Sequence, residues 1–373
     1  MGGASIAVLS MNTIDRLNPA SWPRINRTRF TVSALFEGYS SEDGTNSAYL
    51  SKTHFNGIAL AVPVAPDHGI VLGAGISPYS RVNYNIVTPY TLSNFNYQLQ
   101  YIGEGGISQG YIGLSYAPMK ELYFGAKLDY YFGSISHKVK QSFASSLYTD
   151  AEVDRSARYN GIGFTCGAVY TGLKNLFGLG EANSLNLGAV LSTTSYLTTT
   201  DERYDFFSTS STLTSQDTVI LPDVTTKLPY SFGAGIAYQT EKIIVAGDLR
   251  YQRWTQFSVD GVSSPDLRDS YRFGVGVELL PKRETSAPFT QRIAYRFGCF
   301  YHSSYYQIHG EPINEFGVSG GFGIPVFGDT RLGISGEYSF RGTTDMQLQK
   351  DKILRLSFTL NIAELWFVQP AEE

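Results

Sequence analysis

The sequence contains no run of about 18 apolar residues, which excludes a membrane-crossing helix. Its two cysteines, Cys166 and Cys299, show no metal-site or redox spacing. Both fall on the apolar faces of different stretches and read as small hydrophobes, with a disulfide left open. Histidine is scarce at five residues, so a nucleophile–base pair has few places to arise. Charged residues make up 17%, below the roughly 25% of an ordinary soluble domain. A net charge of −4 gives no electrostatic case for nucleic acid. Nothing suggests a cofactor or a metal.

What is plentiful is aromatic: 26 Tyr and 23 Phe, with 38 Gly, in 373 residues. Stretches of about a dozen residues alternate apolar with polar or small ones, and successive strand residues face opposite ways. Ile243, Val245, Leu249 and Tyr251 share one face; Ile244, Ala246, Asp248, Arg250 and Gln252 share the other. Leu122, Phe124, Ala126, Leu128 and Tyr130 oppose Lys127 and Asp129. Ile293, Tyr295, Phe297 and Cys299 oppose Arg292, Arg296 and His302. Leu354, Leu356, Phe358, Leu360 and Ile362 oppose Arg355 and Asn361. Leu332, Ile334, Tyr338 and Phe340 oppose Glu337 and Arg341.

The alternation predicts strands at 27–39, 53–64, 69–82, 96–117, 121–134, 156–173, 184–199, 225–239, 242–257, 268–281, 290–306, 311–325, 329–342 and 350–367. That is about 14, an even number, as a closed single-chain bacterial barrel requires. Short turns, such as Ala65-Pro66-Asp67-His68 and Thr240-Glu241, alternate with longer polar links near 40–52, 83–95, 135–155, 200–224, 258–267 and 343–349. The link 200–224, rich in Ser and Thr, is expected to be a mobile external loop.

A soluble sandwich or propeller shares this composition, but a barrel of about 14 strands encloses more room than side chains fill. Its charged face suits a wet lumen, and its apolar face suits lipid. The expected fold is therefore an all-β transmembrane antiparallel barrel. Residues 27–368 form the barrel and 369–373 a C-terminal tail. Residues 1–26 do not alternate, and Pro19 biases Asn18 away from helix, so this segment reads as irregular or partly helical. An outer-membrane protein must be exported, and no signal peptide is visible after Met1; a removed signal or an upstream start is expected.

The opening Gly2-Gly3-Ala4-Ser5-Ile6-Ala7-Val8, followed by Asn18-Pro19-Ala20-Ser21, resembles the start of the FadL/TodX outer-membrane transport family. The C-terminal half, from Ile313-Asn314-Glu315-Phe316-Gly317 through Arg341-Gly342-Thr343 to Glu364-Leu365-Trp366-Phe367, resembles versions from the Bacteroidetes–Chlorobi side. The resemblance implies a 14-strand barrel with residues 1–26 as a hatch, Asn18, Pro19 and Ala20 being hatch residues. It implies passive uptake of long-chain fatty acids or aromatic hydrocarbons across the bacterial outer membrane. Partners would be a hydrophobic small molecule, outer-membrane lipid and lipopolysaccharide, with the chain a monomer. The segment before Asn18 is shorter than in the family's transporters.

Arg250, Arg292, Arg296 and Arg355 could anchor a carboxylate in the lumen. They could equally brace it by pairing with Asp248, Glu278 and Glu337. Phe95, Tyr97 and Tyr101 could shape an external entry groove or belong to an interface girdle. Gly75 and Pro78 could weaken the third strand's ladder and open the wall, though an ordinary strand end explains them too. Two rival readings remain: a protein-binding barrel of the type IX secretion kind, and an enzyme. For the enzyme, His302 beside Ser303 is the one candidate, at a spacing that sends the two side chains to opposite faces.

Overall fold

The computed structural model describes residues 1–364, apart from 93, 94, 146, 177, 179, 181, 182, 210, 211, 283, 285, 346 and 347. The expected tail at 369–373, and the end of the barrel at 365–368, lie outside the described residues.

The first half of the wall is built from β1 (Thr28–Glu42), β2 (Ser47–Ala65), β3 (Ile70–Leu92), β4 (Phe95–Met119), β5 (Leu122–Phe143), β6 (Asp150–Tyr170), β7 (Ser184–Ser192) and β8 (Ser195–Thr209). The second half comprises β9 (Thr212–Ile220), β10 (Val224–Leu228), β11 (Ser231–Gln239), β12 (Ile243–Gln252), β13 (Ser258–Val259), β14 (Ser270–Leu279), β15 (Ala294–Ile308), β16 (Glu311–Pro325), β17 (Arg331–Gly342) and β18 (Lys350–Glu364). These segments form one closed antiparallel barrel of 14 passes. The chain bends between β7 and β8, between β9, β10 and β11, and between β12 and β13, so those segments share passes. Closure is made by β18 against β1, with Glu37 opposite Arg355.

The faces sort as the alternation demands. Val245, Val275 and Phe297 are about half exposed on the outside, whereas Ile244, Ala246 and Asp248 are buried inside. An outer surface of large apolar side chains around a charged interior fits a wall whose external solvent is hydrocarbon. Cys166 and Cys299 are free thiols on β6 and β15.

The links at 83–95, 135–155 and 200–224 are not loops over most of their length. β3, β4, β5, β6, β8 and β9 carry the ladder through them, with Tyr90 opposite Tyr97 and Tyr204 opposite Thr218. β4 alone has 25 residues, roughly 80 Å of strand, more than twice the thickness of a bilayer core. Cross-strand pairing holds these extensions where the polar composition suggested loops: Lys138–Asp154 and Lys140–Glu152 pair at 3.1 Å, and Tyr90 stacks on Tyr97. His137, expected in a loop, lies in β5 and meets the Tyr84 hydroxyl at 2.9 Å.

Candidate functional site: a lumen filled by the N-terminus beside a split in the wall

Residues 1–26 lie in the lumen, and the wall is shaped to receive them. Asn18 organises the segment. Its Oδ1 accepts from Ala20 N at 3.0 Å, and its Nδ2 donates to the Ile6 carbonyl at 2.7 Å. Pro19 opens a 3-10 turn, Pro19–Arg24, whose Trp22 is fully buried with Ile25, Ala61, Val71 and Tyr111. A polar side chain presenting one donor and one acceptor can tie two separate backbone stretches, which explains a buried Asn at this point.

Wall glycines line up in register beneath this segment. Gly276 faces Gly298, Gly188 faces Gly235, and Gly125 faces Gly167. A side chain at these positions would run into Met1 or Gly2, into Ile6, and into Pro19 or Asn18 respectively. Polar groups then fasten the segment. Asp248 Oδ2 accepts from Ser5 N at 2.6 Å and Ile6 N at 2.9 Å. Gly2 N donates to Ser319 Oγ, Asn186 Nδ2 to the Ala7 carbonyl, and Arg29 to Asn12. Lys127 Nζ donates to the Arg16 carbonyl at 2.8 Å.

This use of Asp248 changes the charge pattern inside. Arg296 pairs with Glu278 at 2.8 Å. Arg355 is braced by Glu337 at 2.5 Å, Glu315 at 2.6 Å and Glu37 at 3.1 Å. Arg250 forms no ion pair among the described residues; the neighbouring Asp248 turns its Oδ2 to the Ser5 and Ile6 N–H groups, and its Oδ1 is buried without a hydrogen-bond partner. The sequence reading overlooked Arg272. It shares a face with Ser270 and Glu278 and lies directly opposite Arg250 across the ladder; that parity was the available signal. Its guanidinium stacks on Phe300 with 4.0 Å to the ring centroid, and its Nε is buried without a hydrogen-bond partner. Arg292 does not join them. It ends the 3-10 turn Phe289–Arg292 before β15, and its carbonyl accepts from Arg331.

Arg250 and Arg272 line a cavity of about 890 Å³ above the N-terminal segment, with Lys127, Arg296, His302, Tyr79, Tyr131 and Phe232. The cavity is mixed in character, and its charge is predominantly cationic. His302 Nε2 meets Ser270 Oγ at 3.2 Å. Ser303 faces the other way, opposite the exposed Tyr271. Tyr97 and Tyr101 sit near the start of β4, in its extension, Tyr97 between Tyr90 and Phe143. Phe95 begins β4, but its side chain lies outside the described residues.

The wall beside this cavity is split. β2 pairs with β3 only from Ile58–Ala65 to Ile70–Ile76. Beyond Ile58, β2 pairs with β1 alone; beyond Ile76, β3 pairs with β4 alone. Ile76 is six residues above the start of β3, roughly 15 Å up a wall whose strands tilt about 40°. Each lip carries a bulge. Asn56 is the extra residue of β2 opposite Ser33 and Ala34, and Tyr79 is the extra residue of β3 opposite Ser108 and Ile107. A bulge leaves one residue unpaired and bends its strand, which separates the lips. Tyr79 turns into the lumen, takes a hydrogen bond from Gln252 and packs edge-on against Tyr131. Pro78 adjoins this bulge, and Gly75 lies just below it. Higher up, Arg81 reaches Glu37 at 3.3 Å and Lys52 reaches Asn83 at 2.8 Å across the split. The stretch without backbone pairing, between these contacts and the last rung, spans about four residues of β3, roughly 13 Å.

Fold and site together define a closed 14-pass barrel with an occupied lumen, an internal cavity and a seam between β2 and β3 that lacks backbone pairing. The sequence profile of the BamG family matches residues 1–371, and the chain belongs to that family. No curated protein matches it. Among solved structures it is similar to the toluene transporter TodX of Pseudomonas putida, with 16% identity, TM-score 0.62, and 97% and 95% of the two chains covered. It is also similar to the CymD monoaromatic hydrocarbon channel, at 14% identity and TM-score 0.61, covering 98% and 95%. A FadL homologue of Pseudomonas aeruginosa follows at 11% identity and TM-score 0.56, covering 92% and 91%. At these identities the similarity establishes the fold.

Proposed function

We propose that the protein is an outer-membrane channel that passes small hydrophobic molecules by passive diffusion, with residues 1–26 as its hatch. One observation carries this reading: the 890 Å³ cavity includes Asn56, Ser77 and Pro78, the inner lips of the split between β2 and β3. A molecule in the cavity therefore lies beside an opening at bilayer depth. It can leave sideways into lipid without displacing the backbone of the fastened N-terminal segment. The fold shared with hydrocarbon channels supports the reading.

Arg250 and Arg272, neither of which is ion-paired among the described residues, favour an amphiphile with an anionic head, such as a fatty acid, over a neutral hydrocarbon. Two guanidinium groups in one cavity repel each other, and a carboxylate between them relieves both. Transport of this kind requires no catalytic group. The test is to purify the barrel in detergent, extract bound lipid and identify it by mass spectrometry. An acyl carboxylate should be recovered, and Arg272→Ala should lower its retention roughly 10- to 100-fold, the value of one or two charged hydrogen bonds. Recovery of no acyl or aromatic ligand, with no uptake defect on deletion, would overturn the proposal. A second reading, a protein-binding barrel, draws on the extensions of β3, β4, β5, β6, β8 and β9; it is favoured if the lumen proves empty and a protein co-purifies.

A further inference from the structure

The inner mouth of the lateral opening holds a side chain that belongs to the N-terminal segment. Arg16 NH1 donates to the Asn56 carbonyl at 2.6 Å. That carbonyl belongs to the bulged residue at which the β2–β3 ladder has ended. Gly57 has φ +134°, and a side chain added there would meet Arg16 NH1, the Ile76 carbonyl and Ser77 Cβ, so the guanidinium sits between both lips. The other end of the same residue is held as well, since Lys127 on β5 donates to the Arg16 carbonyl. Arg16 thus spans from β5 to the lip of β2. It also lines both the main cavity and a side chamber of about 270 Å³ that includes Thr31, Ser33, Gly57 and Asn361.

We infer that Arg16 is the gating residue of the lateral opening, its guanidinium stoppering the mouth while bonded to Asn56. The stopper is a charged group on a neutral carbonyl, a bond strong enough to persist and weak enough to release. Opening needs only a swing of the Arg16 side chain, with the 3-10 turn and Trp22 left in place. The inference extends the channel reading, but its test does not depend on transport.

The test uses the full chain in phospholipid vesicles, with Cys166 and Cys299 changed to Ala and Ser77→Cys as the reporter on the lip. The probe is a maleimide attached to an acyl chain and confined to the bilayer, which reaches Ser77→Cys only through the split. Arg16→Met should speed its labelling roughly tenfold, the loss of one charged hydrogen bond. Arg16→Lys, which keeps a donor, should fall between. A second reporter, Ser231→Cys on the far side of the cavity, should gain far less. Equal rates with Arg and Met at position 16, in barrels that still shift on gels when heated, would overturn the inference. So would equal acceleration at Ser231→Cys, which would mean general loosening. If Arg16→Met does not fold, the Lys variant decides: an unchanged rate together with an unchanged fold refutes the role.

Discussion

Replacing Gly125 by Ala tests how the lumen is filled. Gly125 lies on the inner face of β5, where an added Cβ would sit 2.5 Å from Ala20 N and 2.6 Å from the Pro19 carbonyl oxygen. Ordinary contact begins near 3.4 Å, so the Pro19–Ala20 backbone must retreat by nearly 1 Å. Both close atoms are backbone, and neither can swing aside. A shift of that size stretches the 3.0 Å bond from Ala20 N to Asn18 and threatens the 2.7 Å bond from Asn18 to the Ile6 carbonyl. Overpacking costs about 1–3 kcal/mol, and each lost neutral hydrogen bond about 1 kcal/mol. Docking of residues 18–25 should therefore weaken by about 2–4 kcal/mol. At about 1.4 kcal/mol per factor of ten, even the lower figure is roughly 30-fold. Amide hydrogen exchange in a bilayer mimetic reads this directly: protection should fall across 18–25 and stay unchanged in β16 and β17. Gly320→Ala is the matched control, since no atom comes nearer than 3.9 Å. If Gly125→Ala exchanges like that control and like the parent, the glycine row is not what seats the N-terminal segment.

Val275→Arg places a cation on the outer face of β14, where Val275 is 53% exposed; in a membrane it should cost about 2–4 kcal/mol. Reversible unfolding in lipid measures this, and a neutral effect would mean the outer face meets water. The turn between β1 and β2 has its own pH dependence. Asp43 Oδ1 accepts from Asn46 N at 2.7 Å and from Thr45 N and Oγ1 at 2.9 Å. These bonds, led by that from Asn46 N, pull its pKa from 3.8 down to about 2. A depressed carboxyl favours the folded turn fully above pH 3.8 and loses that preference as pH falls through about 2. Carboxyl ¹³C titration should show the low value, and an ordinary one would refute the turn geometry.

Much of the wall was legible in the sequence because strand side chains alternate strictly. Ile243, Val245 and Leu249 could only lie opposite Asp248 and Arg250, and about 14 such stretches require a barrel too wide to fill with wall side chains. The missing alternation in residues 1–26 marked them as distinct. The polar extensions of β3, β4, β5, β6, β8 and β9 were misread as loops, since their stability comes from pairing with neighbouring strands, as between Lys138 and Asp154 or Tyr204 and Thr218, and not from their own composition. Other features depend wholly on register. The sequence shows Gly125, Gly167, Gly188, Gly235, Gly276 and Gly298, but only the ladder pairs them beneath the N-terminal segment. Asp248 stands two residues from Arg250 and looked like its partner. The packed N-terminus takes that carboxylate for Ser5 and Ile6 and leaves Arg250 beside Arg272. The split between β2 and β3 likewise arises from two one-residue bulges, a count of residues against a partner that no single strand contains. Alternation is a local property and fixes the faces; register, ion pairing and an open seam are relations between distant segments, and only the folded barrel decides them.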